Sequence, residues 1–181
     1  WQYSSATGSV APQPALSIGG SPDLQQESGT THISVVDKAG NMACATPSGG
    51  AFDKSVFFSE LGFAVSTRSE MFNLTTGHPN CVAPGKRPRT TIINFMLAKG
   101  GKPIMTIGCP GGDAQAQANL QLLLNTVVWG MNPQEAVESP RFSSLSVPNS
   151  FYPHDYLAGQ LALEDTFPQS ILDALTSMGH Y

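Results

Sequence analysis

Between Thr31 and Val36, β-branched apolar residues alternate with His32 and Ser34, the two-residue period of a strand whose faces differ. Asp37-Lys38-Ala39-Gly40-Asn41 then supplies turn residues, and Met42 to Thr46 returns, so the pattern predicts a hairpin with Thr30 at its first edge. A second hairpin is predicted from Thr91 to Ala98, a turn at Lys99-Gly100-Gly101-Lys102, and a return strand from Pro103 to Ile107 with Pro103 at its first position. After Gly111-Gly112 the period lengthens. Ala116, Leu120, Leu123, Leu124 and Val127 form one helical stripe that runs to Trp129, with Gly130 placed to cap it. Asn132-Pro133-Gln134-Glu135 carries the Asn cap, first-turn Pro and reciprocal Glu of a second helix, limited by Pro140. A last helix over 168–178 is expected to bury Ile171, Leu172 and Leu175 and to stop at Gly179. Strand pairs first and helices afterwards predict an α+β fold in which helices cover a sheet. Residues 1–29, rich in Ser, Gly, Pro and Gln without a sustained period, read as a linker or tail, so the folded part begins near Thr30.

Composition narrows the function classes. Charged residues make up 12% of the 181, against about a quarter in an average domain, while 18 Gly and 14 Pro favour turns and close backbone approaches. A hydrophobic share of 40% is enough for a core without staples or metals. The net charge of -4 gives no footprint for nucleic acid, although Lys86, Arg87 and Arg89 form a local basic spot. No run approaches the roughly 20 apolar residues of a membrane span. The chain starts at Trp1 with no basic n-region or apolar h-region, which places any upstream part and targeting signal elsewhere and leaves the compartment open, periplasmic, secreted or cytoplasmic. Cys44, Cys81 and Cys109 suit neither a disulfide framework nor a metal cage and read as buried free thiols; no metal or cofactor is called for. Asn73-Leu74-Thr75 is a glycosylation triplet of the kind that arises by chance.

A Gly-x-Ser-x-Gly elbow, a His-Glu-x-x-His helix and a Gly-Lys-Ser/Thr phosphate loop are all missing. Four other blocks stand in order: Thr30-Thr31-His32-Ile33-Ser34-Val35-Val36-Asp37; Pro84-Gly85-Lys86-Arg87-Pro88; Gly108-Cys109-Pro110-Gly111-Gly112; and Gly130 to Ala136 with Ser139-Pro140-Arg141-Phe142. Together they resemble the small subunit of the gamma-glutamyltranspeptidase family of N-terminal-nucleophile hydrolases. The resemblance implies an αββα sandwich, incomplete in this chain, with 1–29 belonging to the large-subunit region and 30–181 forming the nucleophile-bearing domain. It also implies a precursor that cuts itself at Gly29-Thr30, a large-subunit partner from the same precursor in a heterodimer or dimer of heterodimers, and a small-molecule amide substrate.

The chemistry explains why a Thr should lead such a chain. A hydroxyl is a poor nucleophile until a base removes its proton, and a freed α-amine, with a pKa of about 8, can be that base within the same residue. Without cleavage, Thr30 merely begins a strand, which its β-branched shape also suits. Gly111 and Gly112 are the candidates for the backbone donors that meet the oxyanion, although a tight strand-to-helix turn also wants glycine. Ser48 falls where the family has a second Thr close to the nucleophile; it also suits a turn beside Pro47 and Gly49-Gly50. Glutathione-cleaving members grip the glutamyl group with an Asn, a Gln and an Asp, and here Gly50, Arg68 and Met71 stand instead. Arg68-Ser69-Glu70-Met71-Phe72, His78-Pro79-Asn80 and Gly111 to Gln117 are similar to the amidohydrolase and acylase-like branch. Arg68 is the candidate for a substrate carboxylate, or a plain surface Arg. Asp113 can orient substrate or cap the following helix. Thr90 and Thr91 occupy the place of the family's paired hydroxyls near the substrate, or are simply strand residues. Arg87 is implied to shape the pocket.

Overall fold

The computed structural model describes residues 29–49 and 55–180, so the expected linker before Gly29, and Gly50, lie outside the described residues. The predicted first hairpin forms as β1 (Ile33–Val36) and β2 (Met42–Ala45), antiparallel with Ile33 opposite Ala45 and Val36 opposite Met42. Asp37 closes its turn. The carboxylate accepts from the Ala39 and Asn41 amides at 2.8 and 2.9 Å and from the Asn41 side chain at 2.8 Å, and the Asn41 bonds hold its pKa below the ordinary carboxylate value.

The second hairpin is β5 (Asn94–Lys99) and β6 (Lys102–Gly108). Gly100 and Gly101 at φ 58° and 78° supply the two left-handed residues of a type I′ turn, whose twist matches the strands it joins. Pro103 sits second in β6 rather than first, next to a register shift at Leu97/Ala98 where the ladder does not need its missing donor. Two short pairs lacked a legible pattern: β3 (Phe57–Phe58) with β4 (Phe63–Ala64), and β7 (Phe142–Ser144) with β8 (Leu161–Leu163). Strands of two or three residues are too short to display a period.

Helix α1 spans Ala114–Val127 and ends through Gly130 at φ 71°. Its packing corrects the sequence expectation. Ala116, Leu120 and Val127 are exposed, Leu123 and Leu124 are half-buried, and the deeply buried residues are Gln115 and Asn119. Those two amides clamp Ile93 at the approach to β5: Gln115 Oε1 accepts from the Ile93 amide at 3.2 Å and Asn119 Nδ2 donates to its carbonyl at 3.4 Å. Gln117 does the same for Ser144, accepting at 2.8 Å and donating at 3.1 Å, and Gln121 for Phe142, at 3.1 and 2.8 Å. Four residues along a helix advance about 6 Å. Two along a strand advance slightly more, about 6.6 Å, so successive amides satisfy alternate residues of β7 and blunt its free edge.

Helix α2 (Pro133–Glu138) begins in the predicted capping box, in which Asn132 accepts from the Gln134 and Glu135 amides at 2.9 and 3.0 Å and Glu135 accepts from the Asn132 amide at 2.9 Å. Helix α3 (Gln169–Ser177) stops at Gly179, φ 90°. It buries nothing completely: Leu172 and Leu175 are half-buried and Ile171 is exposed, against the expected burial of all three. The three cysteines are free but half-buried rather than buried. Among the described residues no helix is long and apolar enough to cross a membrane.

The two long hairpins meet on their polar faces. His32 Nδ1 lies 2.8 Å from Thr46 Oγ1 and Nε2 lies 2.8 Å from Ser34 Oγ, while Thr106 donates to Ser34 at 2.8 Å and Thr46 donates to Asn94. Because Thr46 and Thr106 spend their single hydrogens on Asn94 and Ser34, the imidazole must donate from Nδ1 and accept at Nε2. The ring covers Gly108 so closely that a Cβ there would collide with His32 Cε1. Gly108→Ala should therefore cost about 1–3 kcal/mol by overpacking, and most of that cost should vanish in a His32→Ala background. Urea denaturation of the four proteins checks this; equal losses in both backgrounds would show that the contact does not hold the hairpins together.

Candidate functional site

The register of β1 and β2 continues downward without a bulge, so Thr30 faces Ser48 in an isolated antiparallel bridge. The flanking bonds run from the Thr31 amide to the Pro47 carbonyl at 3.1 Å and from the Gly49 amide to the Gly29 carbonyl at 3.4 Å. Thr30 and Ser48 are thus a pair with no backbone bond between them, the kind whose Cα atoms approach to about 4.5 Å and whose side chains are closest. Their hydroxyls meet accordingly, with Oγ1 of Thr30 2.7 Å from Oγ of Ser48.

Arg68 opens a single turn of 3-10 helix over Arg68–Met71 that delivers its guanidinium to this pair. It donates to Ser48 Oγ at 2.9 Å and reaches the sulfur of Met71, which is fully buried, at 3.8 Å. Its Cζ lies 5.3 Å from the centroid of the Phe151 ring, a cation–π distance. Nε of Arg68 is buried with no partner among the described residues. A donor left open in this way is costly unless something else accepts from it.

Phe151 joins Arg68 to the glycine loop, since a Cβ on Gly112 would lie 3.5 Å from its ring. Gly111 and Gly112 adopt φ of 131° and 53°, which disfavour any side chain, and their carbonyls accept from the Ala114 and Gln115 amides at 3.0 and 3.3 Å as α1 begins. Their own amides donate to nothing among the described residues. Thr30, Ser48, Arg68 and Phe151 therefore form one chain of contacts, and Gly112 lies beside its Phe151 end. Beside it, Cys109 shares its sulfur hydrogen with Asn119 Oδ1 at 3.3 Å; burial raises its pKa, opposed by the charge of Arg141.

Asp113 precedes α1 but makes no side-chain cap. Its carboxylate instead accepts from the Ser150 amide at 2.6 Å and from the Ser150 hydroxyl, and pairs with Arg89 at 3.6 Å. Of the two threonines, Thr91 is buried, whereas Thr90 is exposed and accepts from the Ile92 amide at 3.2 Å. Asn80 ties this irregular segment before β5 to the Arg68 turn, donating to the Met71 carbonyl at 2.6 Å and accepting from the Arg89 amide at 3.1 Å. Lys86 donates to the Pro79 carbonyl, and Arg87 is exposed. Sequence reasoning missed Ser150 and Phe151. The available signal was an aromatic in a Pro-bracketed loop, Val147-Pro148-Asn149-Ser150-Phe151-Tyr152-Pro153, which marks a constrained segment without saying where it lands.

The family model for gamma-glutamyltranspeptidase matches residues 4–181, and the chain belongs to that family. It is 34% identical over 134 residues to a glutathione hydrolase proenzyme of Pseudomonas sp. (strain A14), covering 68% of this chain and 23% of that protein. The acylase-like branch is also represented: an acylase ACY 1 proenzyme of Pseudomonas sp. (strain V22) is 32% identical over 152 residues, covering 83% and 25%. The crystal structure of the Helicobacter pylori gamma-glutamyltranspeptidase T380A mutant superposes with a TM-score of 0.69 at 27% identity, covering 83% of this chain and 82% of that one. The α+β arrangement is thus part of the αββα fold of these N-terminal-nucleophile hydrolases. The chain spans about a quarter of the length of the two curated relatives.

Asp113→Ala should destabilise the protein by about 1–3 kcal/mol, because it leaves the amide and hydroxyl of the fully buried Ser150 without an acceptor. Denaturation midpoints measure this, and a loss no larger than a few tenths of a kcal/mol would mean that the carboxylate does not support the 149–151 loop.

Proposed function

We propose that this chain is the nucleophile-bearing part of an amide hydrolase acting on a gamma-glutamyl or related acyl amide, with residues 30–181 as its domain and 1–29 as the tail of the large-subunit region. Family membership supports the class, and the observation that carries the assignment is the Thr30 hydroxyl 2.7 Å from Ser48 at the end of a hairpin. Cleavage at Gly29-Thr30 frees the Thr30 amine. That amine, neutral above its pKa of about 8, takes the proton of its own hydroxyl as the oxygen attacks the amide carbon. The open amides of Gly111 and Gly112 receive the oxyanion, each worth roughly 3 kcal/mol to the transition state. The proton passes to the departing amine, and water resolves the Thr30 ester. Resolution by a second amine gives acyl transfer, the variant reaction.

On the substrate side, the Nε of Arg68, without a partner among the described residues, is the donor left for a carboxylate, with Thr90 and Thr91 in the segment that leads into β5. Asp113 acts through Arg89 and Ser150. Ser48, held by Arg68, positions the Thr30 hydroxyl. The partner is the large-subunit segment of the same precursor, and the mature protein is a heterodimer or a dimer of heterodimers. Exposed apolar residues, Ile33 and Val35 on β1 and Leu120, Val127 and Trp129 on or just after α1, are where we place that partner.

Intact mass of the full precursor after incubation should reveal a fragment beginning at Thr30, and Thr30→Ala should remain joined. With an amide panel, the wild type should then give a burst of acyl-enzyme. A wild-type chain that stays joined would sink the hydrolase reading in favour of an arrested precursor acting as a binding protein. Ser48→Ala should cut turnover by about tenfold to a hundredfold with KM little changed, because the interaction it removes is made to the nucleophile rather than the substrate.

A further inference from the structure

Gly49 has no counterpart among the expected site residues, yet its amide is the group aimed at the bond to be cut. It donates to the Gly29 carbonyl oxygen at 3.4 Å, across the Thr30–Ser48 pair. Residue 49 is held from its other side as well, where Ser55 donates its hydroxyl hydrogen to the Gly49 carbonyl at 2.6 Å. Gly29, at φ 100°, is in a conformation that side chains avoid, so the carbonyl presented to Gly49 depends on glycine at that place.

We propose that the Gly49 amide is the oxyanion donor for self-cleavage, distinct from the Gly111 and Gly112 amides that serve the bound substrate. The inference rests on the self-cleavage reading above. Thr30 Oγ1 attacks the Gly29 carbonyl carbon, and the charge that develops falls on the oxygen already facing Gly49. A contact that is long in the ground state tightens as this charge grows. The tetrahedral centre collapses with rupture of the Gly29–Thr30 C–N bond. The hydroxyl proton ends on the Thr30 nitrogen, and Gly29 is carried as an ester on Oγ1. Water then hydrolyses the ester to a Gly29 carboxylate and restores the Thr30 hydroxyl. Atoms and charge balance with water as the sole co-reactant. Once Gly29 has left, the Gly49 amide has no further part, so processing and turnover draw on separate donors.

The test follows appearance of the Thr30-terminated fragment from freshly purified full precursor by intact mass. Gly49→Ala keeps the amide and adds a Cβ that meets nothing within 4 Å among the described residues, so it should cleave at the wild-type rate. Gly49→Pro removes the donor and should slow cleavage by roughly a hundredfold to a thousandfold, the loss typical of one oxyanion donor. Should Gly49→Pro fail to fold by circular dichroism, Ser55→Ala decides: it loosens residue 49 while keeping the amide and should slow cleavage by about tenfold, with Ser55→Thr restoring it. Folded Gly49→Pro cleaving within threefold of wild type, or Ser55→Ala cleaving as fast as wild type, overturns the inference while leaving self-cleavage standing. A wild-type precursor that never cleaves refutes both.

Discussion

The site depends on the antiparallel register of one hairpin. Five residues between β1 and β2, pinned by the Asp37 carboxylate, set Ile33 opposite Ala45, and the same pairing carried three residues toward the chain start sets Thr30 opposite Ser48. Strand geometry then brings their side chains together, because this pair lies between two backbone bonds instead of sharing them. A slip of one residue would turn Thr30 to the other face and put Gly29 or Thr31 in its place. The neighbour of Thr30 is therefore chosen by a turn some ten residues away.

The face that carries Thr30 also carries His32 and Ser34, and β2 adds Thr46 and Ser48. This polar face points inward to β5 and β6, while Ile33 and Val35 are 51% and 57% exposed on the outer one. Such an inversion is tolerable because Ser34, His32 and Thr46 are bonded in a one-directional chain from Thr106 to Asn94 and the Thr30 and Ser48 hydroxyls bond each other. Helix α1 follows the same logic. Its amides point to strand backbones while Leu120 is exposed and Leu123 and Leu124 are only half-buried, since a hydrogen-bonded Gln or Asn that closes a strand edge is as suitable an interior group as an apolar one.

The glycine loop and the 149–151 loop are coupled through two small contacts. Asp113 takes the amide and hydroxyl of Ser150, and Phe151 then lies between Gly112 and the Arg68 guanidinium. The Arg68 guanidinium is thereby held over an aromatic face and against Ser48, beside the Thr30 hydroxyl, with no carboxylate paired to it among the described residues. The amides of Gly111 and Gly112 and the Nε of Arg68 are donors without acceptors among the described residues, the condition a site must meet to receive an anion.

Sequence alone determined the elements whose cause is local: both long hairpins, the capping box at Asn132, the glycine stops at Gly130 and Gly179, and the four ordered blocks that carry the family resemblance. Turn chemistry and caps act within a few residues, so they are legible without tertiary knowledge. Tertiary structure alone decided which side of each element is inside. The apolar stripe of α1 suggested the wrong face, because a period locates a face without saying whether solvent or a strand edge lies against it. It also decided that Asp113 holds a loop instead of capping a helix, and that Phe151, well over a hundred residues beyond Thr30, closes the site. Those outcomes depend on contacts between residues far apart in the chain, for which neither composition nor spacing carries a signal.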